Sequence, residues 1–353
     1  MNHNLSFDGE SLLIVGGCGF VGSNLIKLIL KKFNPKEIVV VDNLLSSETQ
    51  NLPNDPRINL IIGSISEIEI LQKINPNLDY IFHLACFHGN QSSIASPIQD
   101  HENNTLTSLM LFEFFHRNEK LKKVVYSAAG CAVADKTYGN PLATEEDSSV
   151  SLFHDSPYSI SKLIGEMYGN YYFQRYGFPF VKARFQNVYG PGELLGAGRW
   201  RGTPNTVWRN VIPTFIWKAM NKEALPLENE GESSRDFIFI DDIAEGLISC
   251  ALSGVSGEAY NLATGEETKI IEIAKIINSL TKNDGNLKLL PKRDWDNSGR
   301  RFGSTKKSKE NLNFTATTSI EDGLEKTVHW FLDNFNFIKG SIEKHELNMS
   351  KFN

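Results

Sequence analysis

The chain has 353 residues, of which 41% are hydrophobic and 22% charged, and its formal net charge is −6. This acidic balance excludes nucleic acid as an expected partner, and the clustered Arg199, Arg201 and Arg209 suit a small anion better. No apolar run reaches the roughly 18 residues of a membrane span and the polar N-terminus lacks a signal h-region, so we expect a cytoplasmic protein without membrane contact.

The first predicted strand and helix enclose a glycine-rich turn. Residues 12–15 form a short apolar β run, and from residue 20 onward apolar residues recur at helical spacing. Between them, Gly16 permits a tight turn, Gly19 lets the backbone approach a pyrophosphate, and Gly22 lets the helix lie close to the strand. Because the free N–H groups of the helix start would then face the anion, the turn predicts a dinucleotide site.

The second predicted strand, EIVVVDN, ends in a carboxylate. Asp42 lies there, twenty residues after Gly22. At a strand end it can accept hydrogen bonds from both adenosine ribose hydroxyls, and it would repel a 2′-phosphate. The sequence therefore favours NAD over NADP as the cofactor.

Strand-like and helix-like segments continue to alternate along the first half of the chain. Such alternation is typical of parallel βαβ units, so we predict an α/β fold with a doubly wound parallel sheet of the Rossmann type. The later strands are expected at residues 58–64, 78–85, 121–129 and 179–185, and the helices at 65–73, 100–116, 156–176 and 211–220.

The pattern becomes irregular after residue 186, which indicates a second, smaller domain of mixed structure. We predict an NAD-binding domain over residues 1–186, to which 235–264 return, and a substrate-binding domain over 187–234 and 265–338. The polar residues 339–353 are expected to form a loose tail.

A tyrosine and a lysine lie four residues apart in the helix-like stretch SPYSISKLIGEMYGNYY. Tyr158 and Lys162 would therefore share one helix face. The lysine cation is expected to lower the pKa of the phenol toward neutrality and to hold the nicotinamide ribose. Tyr158 would then take a proton from a sugar hydroxyl while hydride passes to NAD.

These motifs together resemble the extended short-chain dehydrogenase/reductase family of NAD-dependent nucleotide-sugar epimerases and dehydratases. The phrases GGCGFVGSNL, HLACF, ARFQNVYGPG and SSRDFIFIDDIA follow in the family's order, and Tyr158 and Lys162 match its catalytic pair. The resemblance implies a nucleotide-sugar substrate and a homodimer formed through the helices at 100–116 and 158–176.

The resemblance also implies two sets of binding residues. Asn104 would support the catalytic helix region, Gln186 would approach the nicotinamide, and Ser64 would meet the adenine. The predicted cofactor set is Gly16, Gly19, Phe20, Val21, Gly22, Asp42, Asn43, Ser46, Ser64, Ile65, Leu84, Ala85, Phe87, Asn104, Ser127, Tyr158, Lys162 and Gln186. The predicted substrate set is His88, Asn187, Asn210, Val211, Arg235 and Arg293. Arg235 is expected on a phosphate or a ribose of the nucleotide, and Arg293 is a second phosphate candidate.

Three positions after the fifth strand depart from the family pattern. Ala129 stands where a Ser or Thr usually relays the proton, so either Tyr158 contacts the sugar directly or Ser127 or Cys131 substitutes. Gly130 and Cys131 replace the acids of a 4,6-dehydratase, and the Glu of the decarboxylating relatives is also missing. We therefore predict an epimerase acting at C4 of a UDP-sugar through a transient keto intermediate; the alternatives are a dehydratase, decarboxylase or reductase, or a non-catalytic NAD-binding scaffold.

The cysteine and histidine spacing indicates neither a disulfide nor a metal site. The four cysteines, Cys18, Cys86, Cys131 and Cys250, form no CxxC pair and are predicted to be buried reduced thiols, and the histidine spacing indicates no metal site.

The insertion GAGRWRGTPNTVWRN is the stretch of the chain that is least typical of the family. Its two tryptophans and three arginines could stack on a base or bind an acidic sugar, or the segment could be a packed surface loop.

Overall fold

A computed structural model describes residues 5–134, 137–294, 296 and 299–352. The strands are β1 (Ser11–Val15), β2 (Glu37–Asp42), β3 (Ile58–Ile62), β4 (Tyr80–His83), β5 (Lys123–Ala129), β6 (Phe180–Phe185), β7 (Asn187–Tyr189), β8 (Leu225–Glu228), β9 (Ser234–Arg235), β10 (Phe237–Phe239), β11 (Ala259–Leu262), β12 (Thr268–Lys269) and β13 (Leu287–Leu290). The helices are α1 (Phe20–Lys32), α2 (Ile68–Leu71), α3 (Asn90–Ala95), α4 (Pro97–Asp100), α5 (Thr107–Phe115), α6 (Gly130–Val133), α7 (Pro157–Tyr176), α8 (Val211–Met220), α9 (Ile240–Ser253), α10 (Ile270–Thr281), α11 (Lys306–Leu312), α12 (Ile320–Asp333), α13 (Phe335–Glu343) and α14 (Glu346–Met349). Among the described residues, no helix is both long and apolar enough to cross a bilayer.

A seven-stranded sheet forms the centre of the molecule. Its strand order is β11-β6-β5-β4-β1-β2-β3, and every neighbouring pair is parallel, which confirms the predicted doubly wound α/β fold. The chain adds strands outward from β1 to β3 and then crosses back to β4. Such a reversal opens a crevice at the carboxyl ends of β1 and β4, where ligands of this fold class bind.

Apolar side chains cover both faces of the sheet. Along β1, Leu12 and Ile14 belong to one hydrophobic cluster, and Leu13 and Val15 belong to the cluster on the opposite face. This burial on both sides explains the continuous apolar runs in the sequence. A further cluster packs α8, α10 and α12 together beyond the strand ends. The division into an NAD-binding and a substrate-binding domain stays a prediction.

Two glycines bring α7 close to the sheet. A Cβ at Gly165 would overlap the phenol of Tyr126, and a Cβ at Gly169 would overlap the ring of Phe180. Because these positions carry no side chain, the helix that holds Tyr158 lies against β5 and β6 at short range. Gly165 and Gly169 thus determine how closely the helix predicted over 156–176 packs on the sheet.

Other predicted helices are shorter than expected. The segment expected as one helix over 100–116 consists of α4, a π-helical stretch over His101–Leu106 and α5. The helix expected over 65–73 is reduced to α2. Widened π turns are frequent at functional sites, and this one contains Asn104, whose contacts are described below.

The prediction of a loose C-terminal tail is wrong. Residues beyond 338 continue α13, form α14 and pack against the insertion near residue 196. The His345 imidazole Nε2 lies 2.8 Å from the Gly196 carbonyl oxygen, and the Trp200 ring lies 5.9 Å from the His345 ring and 6.0 Å from that of Phe352. The tail is polar because much of its surface faces water, while the side chains of Ser341 and His345 are buried.

Candidate active site

A cavity of about 690 Å³ opens at the carboxyl ends of β1, β4, β5 and β6. Apart from Phe87 and Asn104, every residue of the two predicted sets contributes to its wall. The cavity runs from the glycine turn after β1, past Tyr158 and Lys162, to Arg235 and the start of α8. Residues that are distant in sequence therefore meet in one continuous site.

The glycine turn fits a pyrophosphate. Gly16 has a φ of +84°, and a Cβ there would lie 2.6 Å from the backbone nitrogen of Ala85. A Cβ at Gly22 would lie 2.6 Å from the Cα of Gly17. The helix α1 begins directly after Gly19, and among the described residues no side chain caps its first N–H groups. Those N–H groups are therefore available to bind an anion in the cavity.

Asp42 is held rigidly at the end of β2. One carboxylate oxygen accepts from the Cys18 backbone at 3.0 Å, and the other accepts from the Leu44 backbone at 2.9 Å and the Ser47 hydroxyl at 2.7 Å. Burial raises the pKa of Asp42, and these hydrogen bonds act to lower it. A carboxylate fixed in this way suits ribose hydroxyls and disfavours a phosphate at the same place.

Lys162 is anchored beneath the phenol-bearing face of α7. Its ammonium donates to the Ser127 carbonyl at 2.7 Å and to the Ser127 hydroxyl at 3.2 Å, and it lies 5.1 Å from the centre of the Tyr126 ring. Burial lowers the pKa of Lys162. The Tyr158 ring, on the same wall, meets the His88 ring edge-on at 5.8 Å.

The expected lowering of the phenol pKa is wrong for the groups that this chain supplies. Burial raises the pKa of Tyr158 well above its ordinary value, and the neighbouring Cys86, Cys131 and Asp100 raise it further. The lysine points to Ser127 and its own charge is disfavoured by burial, so the desolvation of the phenol dominates. The groups of this chain alone thus favour the neutral phenol at Tyr158.

Asn104 and Phe87 lie outside the cavity wall. The Asn104 side chain accepts from the Phe87 backbone at 2.7 Å and donates to Asp100 at 2.7 Å and to Ser161 of α7 at 3.1 Å. It thus ties the segment after β4 to α7, the helix that carries Tyr158 and Lys162. Phe87 was expected to contact the cofactor, but its side chain is fully buried away from the cavity.

Two of the three positions that depart from the family pattern lie on the cavity wall. Ala129, Cys131 and Ser127 all line the cavity. A Cβ at Gly130 would overlap the side-chain amide of Gln186, so a larger residue there would displace that amide. Cys131 and Cys86 are partly exposed on the cavity wall, so the expectation that all cysteines are buried is wrong for these two.

Two arginines stand at the far end of the cavity. Arg235 donates to the Ser234 and Gly299 carbonyls at 2.7 Å each, and burial together with the nearby Arg301 lowers its pKa to about 9. Arg301 is 7% exposed, and its buried Nε finds no partner in the described part of the chain. Buried donors without a partner are rare in native proteins, and Arg301 also lines the cavity.

Arg301 was missed by the sequence interpretation, which named Arg293 instead. Arg293 lines the outer cavity but forms an ion pair with Glu228, and its side chain is 40% exposed. The signal for Arg301 was its place in RRFGST, a few residues after the segment that was weighed. Arg301 is buried near Arg235, whereas the Arg293 side chain is partly exposed.

The insertion over 196–210 is both a packed loop and a wall of the site. Trp200 packs against the C-terminal helices, whereas Trp208, Arg209 and Asn210 line the cavity. The Arg199 guanidinium donates to the Asn43 carbonyl at 3.2 Å, which fixes the loop above the end of β2. Both interpretations left open by the sequence therefore hold in part.

Glu193 is a further cavity residue that the sequence did not single out. Its carboxylate accepts a hydrogen bond from the Asn210 side chain. Burial raises its pKa to about 7, while Asn210 and Arg209 act to lower it. Since an unfolded glutamate titrates near 4.3, the folded chain holds a proton over a range in which the unfolded chain releases it.

We expect Glu193 to make the stability of the fold fall as pH rises from about 4.5 to about 7. Glu193→Gln should flatten this slope, because the neutral amide titrates in neither state. The melting temperature of the NAD-loaded protein between pH 5 and pH 8 measures it, with exposed Glu119→Gln as the matched control. Equal slopes in all three proteins would contradict the assignment.

The fold and the cavity together define an NAD-dependent enzyme of the extended short-chain dehydrogenase/reductase type. The chain belongs to the NAD-dependent epimerase/dehydratase family, whose model matches residues 12–263. Relatives in this family include both nucleotide-sugar epimerases and dehydratases.

Three similar proteins illustrate this range. WbmF of Bordetella bronchiseptica, solved with NAD⁺ and UDP, is 50% identical over 98% of this chain and 99% of its own, with a TM-score of 0.88. UDP-glucose 4-epimerase of Thermotoga maritima, solved with UDP-glucose, is 28% identical over 92% of this chain and 99% of its own, with a TM-score of 0.81. A trifunctional UDP-glucose 4,6-dehydratase, epimerase and reductase of Arabidopsis thaliana is 27% identical over 96% of this chain. The present chain spans about half the length of that Arabidopsis protein (50%).

Proposed function

We propose that the chain is an NAD-dependent nucleotide-sugar epimerase that inverts C4 of a UDP-sugar through a transient 4-keto sugar. The observation that carries the proposal is the placement of Tyr158 in the same cavity as the glycine turn, with Cys131 also on the cavity wall and Gly130 next to it in the sequence. An epimerase needs no additional acid there, whereas a dehydratase must move a further proton to eliminate water. The UDP and UDP-glucose complexes of the two similar structures support a uridine nucleotide.

The reaction as proposed needs no external oxidant. NAD, when bound in its oxidised form, supplies a hydride acceptor and one positive charge to the cavity. Tyr158 accepts the proton of the sugar hydroxyl as the carbinol is oxidised and returns it when the keto group is reduced on the other face. Lys162 holds the end of β5 through Ser127, and Asn104 links α7 to the segment that follows β4. Substrate and product are isomers, so protons and electrons balance within each turnover.

The other half of the cavity would hold the substrate's diphosphate. Arg235 and Arg301 lie together there, and Asn187 and the start of α8 at Val211 line the same wall. Guanidinium groups are suited to phosphate oxygens because they donate from a planar fork. Ala129 carries no hydroxyl, so we propose that the phenol of Tyr158 contacts the sugar directly.

A dehydratase is the second candidate, because the Arabidopsis relative carries that activity in its name. The amide of Gln186 occupies the space that a side chain at position 130 would need. A carboxylate equivalent to the dehydratase acid would therefore have to come from another element. This contact favours epimerisation over elimination.

The test is a conversion assay on protein purified without added cofactor. We expect bound NAD in the preparation and interconversion of UDP-glucose and UDP-galactose, or of another pair of C4 isomers, without added oxidant. Release of a 4-keto-6-deoxy sugar would identify the dehydratase. Absence of any conversion across UDP-, dTDP-, GDP- and CDP-sugars would refute the proposed reaction.

We also propose the homodimer that the resemblance implied. The outer face of α7 leaves Ile160, Met167 and Tyr171 exposed by 44%, 54% and 52%, next to exposed Ile98 of α4. Contiguous apolar side chains on one helix face are typical of an interface. Sedimentation of the chain and of Met167→Glu would test it, and a monomer in both cases would contradict it. The cytoplasmic location stays a prediction.

A further inference from the structure

The side-chain amide of Gln186 is a largely buried polar group that the proposed reaction does not use. Gln186 is 9% exposed and lines the cavity. Its backbone N–H donates to the Leu262 carbonyl at 3.3 Å, but its side-chain amide has no hydrogen-bond partner in the described part of the chain. Buried amides are normally hydrogen-bonded through both the nitrogen and the oxygen, so this amide is available to a ligand.

Two glycines make the space that this amide fills. A Cβ at Gly130 would lie 2.3 Å from the amide nitrogen of Gln186, and a Cβ at Gly303 would lie 2.8 Å from the same atom. Gly303 is itself fixed, because its backbone N–H donates to the buried Asp236 at 3.2 Å. The amide is therefore packed between two backbone segments, which hold it in place.

These two segments belong to different parts of the cavity. Gly130 lies between Ala129 and Cys131, and both neighbours line the cavity together with Tyr158. Gly303 follows two residues after Arg301, which lines the cavity where the substrate's diphosphate is proposed to bind. The sugar of a nucleotide sugar is attached to its diphosphate and has to reach Tyr158. It would therefore lie between these two parts of the cavity, where the amide is held.

The strand order separates this amide from the proposed cofactor site. The glycine turn follows β1, and Lys162 contacts Ser127 on β5. Gln186 follows β6, which pairs with β5 on the side away from β1. Neighbouring strands are about 4.8 Å apart, so three strand spacings put the end of β6 roughly 14 Å from the end of β1. This position favours a contact with the sugar over the nicotinamide contact that the resemblance implied.

We infer that Gln186 is a substrate-binding residue, whose side-chain amide hydrogen-bonds an oxygen of the substrate's sugar. The inference rests on the proposed binding of a nucleotide sugar. A primary amide can donate to one sugar oxygen and accept from a neighbouring hydroxyl, which would give both of its ends a partner. The contact orients the sugar without adding charge to the cavity.

The first test compares UDP-glucose with UDP, because the two probes differ by the sugar. Calorimetry on the NAD-loaded protein gives the ratio of the two affinities. Gln186→Met keeps the length of the side chain and removes its hydrogen bonds, so it should lower this ratio about three- to tenfold. Its affinity for UDP and its NAD content should stay unchanged. Gln72→Met replaces an exposed glutamine at the end of α2 and is the matched control, which should keep the ratio.

Gly303→Ala tests the same contact without removing the amide. The added Cβ would displace the amide nitrogen of Gln186, which lies at the end of a flexible side chain. We expect the ratio of UDP-glucose affinity to UDP affinity to fall in this variant as well. This variant decides the question if Gln186→Met does not fold.

Two results would overturn the contact. The first is a ratio that neither variant changes. The second is loss of bound NAD in Gln186→Met with an unchanged ratio, since the amide would then serve the nicotinamide. Epimerisation by the unmodified protein is measured in parallel. A ratio that falls in both variants without any epimerisation would refute the proposed reaction and keep the contact, whereas epimerisation with an unchanged ratio would do the reverse.

Discussion

Replacing Tyr158 by phenylalanine is expected to lower kcat by roughly 10²- to 10⁴-fold, the usual contribution of one positioned proton-transfer group. The ring and its edge-on contact with His88 remain, so the NAD content of the purified protein and its melting temperature should change little. The loss should appear in kcat more than in KM, because the phenol proton moves only during the reaction. Initial rates over a range of nucleotide-sugar concentrations measure both constants.

The matched control is Tyr171→Phe, which removes a phenol from the outer face of the same helix, where the side chain is 52% exposed. Its kcat should stay close to that of the unmodified protein. If Tyr158→Phe keeps more than a tenth of the original kcat, another group transfers the proton. If a cellular function of the protein survives in Tyr158→Phe without any turnover, the non-catalytic NAD-binding scaffold becomes the better account.

Replacing Gly22 by alanine is expected to abolish the copurification of NAD and to destabilise the fold. The added Cβ would lie 2.6 Å from the Cα of Gly17 and would also collide with the Gly16 carbonyl oxygen. Both contacts are backbone atoms, so the turn itself must move, at a cost of about 1–3 kcal/mol. A binding loss of about 1.4 kcal/mol already lowers affinity tenfold. Absorbance of the released nucleotide and calorimetric melting measure the two effects.

Gly340→Ala is the matched control for that substitution. It also replaces a helical glycine, but a Cβ there meets nothing within 4 Å. Its NAD content should be unchanged, and its melting temperature should rise slightly because alanine favours helix. A Gly22→Ala protein that retains bound NAD at the level of this control would contradict the pyrophosphate position.

The sheet was predictable because its strands are buried on both faces. Continuous apolar runs such as those of β1 and β2 are typical of strands in a sheet that helices cover on both faces. The helical runs between the strands indicate crossover connections, which join parallel strands. The C-terminal helices were not predictable in the same way. Their polar composition resembles a solvated tail, and the contact of His345 with Gly196 joins positions 149 residues apart. Such long-range contacts leave no local signal in the sequence.

The sequence motifs predict which residues line the site, but they do not predict the properties of those residues that depend on burial. The glycine turn, Asp42, Tyr158 and Lys162 follow from spacing, and the structure brings them to one cavity. The raised pKa of Tyr158 and the unpartnered Nε of Arg301 depend on how much water each group loses on folding. That quantity is a property of the packed molecule, and residue spacing does not contain it.

The docking of the C-terminal helices onto the insertion has a consequence for engineering. Gly196 leaves no room for a Cβ beside the Ser341 carbonyl, and Trp200 lies between His345 and Phe352. A loop over 196–210 that is grafted from a relative with different specificity would therefore not pack correctly against the C-terminal helices of this chain. We expect chimaeras that exchange residues 196–210 to need residues 335–352 from the same donor, since the two segments behave as one transplantable unit.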